Sequence, residues 1–368
     1  MERNPLIDGF RGLSIGLVII GHLMQFRFLD YLQAPPVAIF AYPADFIPQL
    51  PFNFGHLLGD IGVDLFFIIS GFLITSLLLH EEQMRGSINV RAFYTRRIFR
   101  ILPAFYAYLL AIVALTLIGV IHVPYADILR SGAFLEDLHR FSRHWFVAHT
   151  WSLSVEEQFY ILWPALLIVF AKARGWLGLT CFVGLLGLSA FSPLAGRFSY
   201  IAIGALYAMS PRVKREIDAI GGRPWAPLLA IGLFAIAFLP PGLAVLGKIL
   251  DAAGPVLLAI LFFGALTKGG PLCRLVSLVW LQRLGLISYS VYLWQQLSLG
   301  PAFEYGGGRL LSFPLFFLVP ALISYFVIER PFIDVGRGLS KRMERDAQSR
   351  AARASTSPAT DQPSIATP

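Results

Sequence analysis

The sequence predicts an all-α integral membrane protein: a bundle of about ten transmembrane helices with both termini in the cytoplasm. Of 368 residues, 56% are hydrophobic and only 14% charged, with a mean hydropathy of +0.67, which excludes a soluble globular chain. Ten apolar segments of helical length can be drawn, at roughly 9–26, 60–80, 102–121, 150–171, 176–190, 196–209, 226–240, 253–267, 281–300 and 312–328. The basic residues alternate with them: of 30 Lys and Arg, 21 fall in every second connection and the C-terminal tail, and 7 in the others. By the positive-inside rule both ends are then cytoplasmic, and the 27–59 and 122–149 connections face outward. Because the +8 net charge sits in short loops between spans, it reads as a topology signal facing membrane lipids, and no nucleic-acid partner is expected.

The first segment carries Asp8 and Arg11 and is followed by no small-residue cleavage site, so it is expected to be a permanent span rather than a signal peptide. Eleven residues separate Arg11 from His22. At about 100° per residue a helix returns to within roughly 20° of its starting direction, so the two side chains share a face roughly 16 Å apart along the axis. Two readings fit: a snorkelling arginine with a hydrogen-bonded histidine, or a pair placed for chemistry.

The second span begins in GVDLFFIISGFLIT, which puts Asp64 near its outer end at a depth comparable with His22. There the carboxylate either orients the imidazole or caps the helix. The next connection ends in RRIFRILP, whose Arg96, Arg97 and Arg100 set topology against anionic lipid or hold the phosphates of a nucleotide-like cofactor. The fourth span enters through HTWSLSVEEQFYILWP and brings His149, Ser154, Glu156 and Glu157 to the outer side. Ser154 and Glu157 have the spacing of a capping box, which leaves Glu156 as a candidate for acceptor binding or proton handling. In the ninth, LGLISYSVYLWQQ sets Ser288, Tyr292 and Gln295 at i, i+4 and i+7, one polar face turned to the bundle or to a wet cavity.

The chain divides into a membrane domain, 1–335, and a tail, 336–368, that is basic and then rich in Ala, Ser, Thr and Pro, expected to be disordered from about 345 and to hold no second folded domain. Cys181 and Cys273 imply no disulfide framework. Walker, GxGxxG and GxSxG motifs and paired-Cys spacings are missing, and the histidines are too scattered to argue for a metal.

Several blocks, in order, resemble the acyltransferase 3 family of integral membrane O-acyltransferases, whose bacterial members acetylate surface polysaccharides. They are the arginine, ten residues, histidine pattern of Arg11 and His22, then GVDLFFIISGFLIT, FYTRRIFRILP, HTWSLSVEEQFYILWP, ISYSVYLW and the IERPF around Glu329. The resemblance implies acetyl-CoA, or another acyl-CoA, as cytoplasmic donor, and a carbohydrate or lipid-linked sugar as acceptor, in the inner membrane. It makes Arg11 and His22 the essential pair, with Asp64 and Glu156 as further catalytic candidates. Arg11, Arg96, Arg97 and Arg100 would bind the donor, and Glu157, His149, Ser288 and Tyr292 the acceptor. One departure is Gln295, where the family commonly has histidine; glutamine cannot act as a base. The rival reading is a polytopic transporter or exporter of a glycan or lipid-linked substrate, against which the lack of a visible inverted repeat speaks.

Overall fold

The computed structural model describes residues 4–27, 49–138, 144–226, 228, 232, 244–300 and 315–356. Among them every regular element is helical. Helix α1 (Pro5–His22) starts at an Asn4 cap, whose Oδ1 accepts the Leu6 N–H at 2.9 Å, with Pro5 where no backbone donor is needed. It runs on through a π-helical turn, Leu23–Arg27. Helix α2 spans Gln49–Arg85 and α3 spans Val90–Leu117, the latter capped by Asn89, whose side chain accepts the Ala92 N–H. Short α4 (Tyr125–Gly132) and α5 (Trp145–Ala148) precede α6 (Thr150–Val169), α7 (Arg174–Ser189), α8 (Pro193–Met209), α9 (Pro211–Gly221) and α10 (Ala244–Lys268). The chain continues through α11 (Pro271–Val276), α12 (Val279–Leu286), α13 (Ser288–Trp294) and α14 (Gln296–Leu299). It resumes with α15 (Leu318–Ile323), a π-helical turn at Ser324–Glu329 and α16 (Arg330–Thr356).

Among the described residues three helices are long and apolar enough to cross a membrane, at Pro5–Gln25, Phe54–Arg85 and Val90–Leu117; Arg174–Ser189 and Ala252–Thr267 are shorter apolar helices. The expected segment 226–240 lies almost wholly outside the described residues, as do most of the 27–59 connection and the start of the segment at 312–328. The segment expected at 281–300 is interrupted at Ile287, between α12 and α13, while Gln295 between α13 and α14 keeps helical dihedrals. Helix is also found where a disordered tail is expected: α16 continues to Thr356, while 357–368 lie outside the described residues. Ala351, Ala352 and Ala354 with interspersed arginines are strong helix formers without an apolar stripe, so hydrophobic periodicity misses them.

In lipid no hydrophobic force draws helices together, so close approach depends on small residues. Helix α1 lies between α2 and α12 on this principle. A Cβ on Gly12 would fall on the Leu281 carbonyl oxygen, and one on Gly21 would stand 2.6 Å from that of Gly55. Since Gly62 faces Ser14 while Gly21 faces Gly55 and Gly59, α1 and α2 run antiparallel.

Charged layers close the two ends of α2. At its C-terminal end Arg96 bridges Glu81 (3.0 Å) and Glu344 (2.7 Å), and Arg85 reaches Glu344 (2.8 Å), tying α2, α3 and α16 together. Arg174 grips Glu82 beside them. Toward its N-terminal end Arg197 of α8 binds Asp60 and Asp64, each at 2.8 Å.

Candidate functional site

A cavity of about 300 Å³ opens among α1, α2, α3, α6 and α13. Its wall holds Arg11, Arg97, Arg100, Glu156, Ser288 and Tyr292. Arg11 lies on α1 one turn past Asp8, within electrostatic reach of Arg100, Glu156 and Glu329. The guanidinium of Arg97 lies over the rings of Tyr160 (5.1 Å) and Phe93 (5.9 Å). Among the described residues none of these three guanidiniums sits in an ion pair, whereas Arg85, Arg96, Arg130, Arg174 and Arg197 all do. Three cations with open donors around a cavity suit phosphate oxygens, which guanidinium recognises with paired donors. Arg96 is not among them. It faces away, held by Glu81 and Glu344.

Glu156 takes hydrogen bonds from Ser70 (2.7 Å) and Tyr160 (3.2 Å), so its carboxylate is fixed on the cavity wall. Glu157, one residue on, lines neither this cavity nor the next. The capping box expected of Ser154 and Glu157 does not form, because α6 already begins at Thr150 and the Ser154 hydroxyl donates back to the Thr150 carbonyl at 3.0 Å.

A second cavity, of about 250 Å³, lies further along α1 and contains His22, Gln25, His56, Asp60, Trp145 and His149. The two cavities share Val63 and Tyr292 in their walls. Tyr292 is fixed there: its hydroxyl lies 2.5 Å from that of Ser152 and donates to the His149 carbonyl at 3.0 Å. His149 itself is buried between the Tyr108 and Tyr292 rings, each 5.4 Å away, so it forms a wall rather than an exposed interface. One face of α1 therefore meets both cavities, Arg11 in the first and His22 in the second, as their spacing predicts.

His22 does not meet Asp64. The antiparallel pairing sets Gly62 against Ser14, so Asp64 lies about two turns from the level of His22, and its Oδ1 is taken by Arg197. The imidazole touches Gln295, whose Oε1 lies 2.7 Å from Nδ1, and the Trp145 ring, edge-on with centroids 4.9 Å apart. Among the described residues no group of three or more metal-ligating side chains occurs, and both cysteines are free thiols.

Residues 4–329 match the family model of acyltransferase 3, described as an acyltransferase domain. The chain belongs to the acyltransferase 3 family. It is 31% identical over 185 residues to the peptidoglycan O-acetyltransferase OatA of Listeria monocytogenes, which is 46% of this chain and 25% of that protein. A putative O-acetyltransferase of Staphylococcus aureus is 32% identical over 181 residues, with the same two shares. The chain thus spans about a quarter of the length of these relatives. The putative membrane-bound transacylase BcsY of Komagataeibacter xylinus is 29% identical over 375 residues, 90% of this chain and 84% of that protein. No solved structure matches.

Sequence reasoning about this acyltransferase 3 chain passes over three residues at the site: Ser70 and Tyr160 position Glu156, and Arg197 holds Asp64. Gln295, singled out as a departure from the family, touches His22. Of the three, only Arg197 leaves a signal: Asp60 and Asp64, one turn apart in an apolar span, call for a cation, and few basic residues lie in the outward connections.

Proposed function

We propose that this acyltransferase 3 protein is a multi-pass inner-membrane O-acyltransferase with about ten spans and both termini cytoplasmic. Its donor is an acyl-CoA, acetyl-CoA first among them, at the cytoplasmic face. Its acceptor is a hydroxyl of a sugar in a surface or exported glycan. The single observation that supports this most is the pair of adjoining cavities along α1, one lined by three guanidiniums outside any ion pair and the other by an imidazole.

Arg11, Arg97 and Arg100 hold the CoA phosphates, and the pantetheine arm extends along α1 past Tyr292. The roughly 16 Å rise between Arg11 and His22 is comparable with such an arm. The sugar enters the second cavity among Asp60, Trp145 and His149. His22 takes the proton of the acceptor hydroxyl as its oxygen attacks the thioester carbonyl; the tetrahedral intermediate then expels the CoA thiolate, which recovers that proton. A route through an acyl-histidine balances as well: the imidazole nitrogen attacks the thioester, the C–S bond breaks and the CoA thiolate takes the ring proton; the hydroxyl then attacks the acyl-imidazole and its proton passes to the departing ring. Glu156, held by Ser70 and Tyr160, faces the arm on the donor side of Tyr292. The acceptor class is supported by the name of OatA, a peptidoglycan O-acetyltransferase.

Purified protein in oriented proteoliposomes tests this with labelled acetyl-CoA supplied on the cytoplasmic side and a glycan acceptor enclosed on the other. Labelled ester on the enclosed acceptor supports the reading. A transporter would move glycan and consume no acetyl-CoA.

A further inference from the structure

Gln295 joins α13 to α14 in helical backbone, its N–H on the Val291 carbonyl. Two successive glutamines make contacts there. Gln295, fully buried, lies with Oε1 2.7 Å from His22 Nδ1. Gln296 accepts the Trp145 indole N–H on its backbone carbonyl at 2.7 Å, and its Oε1 accepts the His149 backbone N–H at 3.4 Å. Trp145 in turn stands edge-on against the His22 ring, the planes 77° apart. The imidazole is thus gripped on one side by a hydrogen bond and on the other by an indole that the neighbouring glutamine holds.

We infer that Gln295 is the positioning residue of the acyl-transfer centre, holding His22 as the tautomer with its proton on Nδ1 and its lone pair on Nε2. The chemistry is one of exclusion. An amide oxygen carries no hydrogen and only accepts, so the ring nitrogen facing it donates, and the neutral imidazole keeps its basic electron pair on the other nitrogen. Unlike a carboxylate, an amide stays neutral through the working range, so it selects the tautomer without fixing a second proton at the site. Gln295 neither receives the acceptor proton nor touches the acyl group.

This inference rests on His22 being the base, and the experiment separates the two. Full-length protein with ¹⁵N-labelled histidine, in detergent micelles, reports by the ring nitrogen shifts which nitrogen of His22 carries the proton; the spectrum of His22→Gln supplies the assignment. The expected native ring is protonated on Nδ1, and in Gln295→Leu both tautomers are populated. Acyl transfer by Gln295→Leu falls about 10- to 100-fold in kcat, as an imidazole out of position requires, while KM for acetyl-CoA stays within about twofold. Gln295→Glu, which keeps an oxygen acceptor in the same place, recovers most of the lost kcat. A native ring protonated on Nε2, or a Gln295→Leu protein with unchanged tautomer and kcat, overturns the inference. Full turnover by His22→Gln overturns the base reading instead, and the nitrogen shifts still decide what Gln295 holds.

Discussion

Replacing Arg100 with glutamine separates donor binding from topology. Arg100 lines the first cavity outside any ion pair, while Arg96, four residues earlier on the same helix, is committed to Glu81 and Glu344. A hydrogen bond to a charged group contributes about 1.5–3 kcal/mol, or roughly 10- to 150-fold in affinity. Arg11 and Arg97 remain to share the phosphate charge, so the lower part of that range applies. Arg100→Gln should raise KM for acetyl-CoA about 10- to 30-fold and leave kcat at saturating donor within about threefold. Arg96→Gln is the control: it should leave KM unchanged and cost about 1–2 kcal/mol of stability, as expected for a half-buried double ion pair. Both are read from acetyl-CoA titrations of acyl transfer in proteoliposomes, alongside thermal melts in detergent. Equal effects of the two substitutions on donor KM, or none from Arg100→Gln, would refute the division of the arginine cluster.

His22→Gln should lower acyl transfer by about 10²- to 10⁴-fold while donor binding, measured by equilibrium dialysis of labelled acetyl-CoA, is retained. Arg197→Gln strands the buried Asp64 carboxylate and should lower the melting temperature; Asp64→Asn made in that background should restore part of it, a coupling that an Asp64 serving His22 would not show. Glu344, on α16 outside the membrane spans, is partly buried, which opposes ionisation, but hydrogen bonds and charge from Arg85 and Arg96 more than offset this and hold its carboxyl below the usual glutamate value. The contribution of that latch is therefore complete above the ordinary value and lost as pH falls through the lowered one, so protease should cut α16 faster in acid, and Glu344→Gln should remove the dependence. In a background without Cys181 and Cys273, Leu135→Cys should react with an impermeant maleimide applied from outside, and Met84→Cys only after lysis; the reverse pattern would invert the topology.

How much of this is legible in the sequence follows from the range of each interaction. The shared face of Arg11 and His22 is local, fixed by the helical period, and the structure reproduces it. The arginine cluster is not. By period alone Arg96 lies closer in direction to Arg100 (about 40°) than Arg97 does (about 60°), so no helical wheel separates the donor candidates from the structural one. Glu344 separates them, 248 residues away along the chain. Asp64 fails as an orienting carboxylate for a similar reason, since its partner Arg197 lies 133 residues off. Gln295 differs again: its place on a helical face with Ser288 and Tyr292 is legible, and what the period does not give is that His22, 273 residues away along the chain, lies against that face.

The position of Tyr292 bears on why the two cavities meet without merging. Its hydroxyl is held on the Ser152 hydroxyl and the His149 carbonyl, both belonging to the entry of α6, so the ring is fixed by a helix other than its own. A thioester arriving from the arginine side has to pass this ring to reach His22, and until it does so, water in the second cavity has to pass the same ring to reach it. A fixed aromatic there favours a thin extended arm over bulk solvent, which matters because an activated acyl group is lost to hydrolysis wherever water reaches it first. Val63, the other shared wall residue, is apolar and works in the same direction. On the proposed reaction, then, the polar groups that bind and deprotonate are kept to the two cavities, and the passage between them is left to a tyrosine ring and a valine.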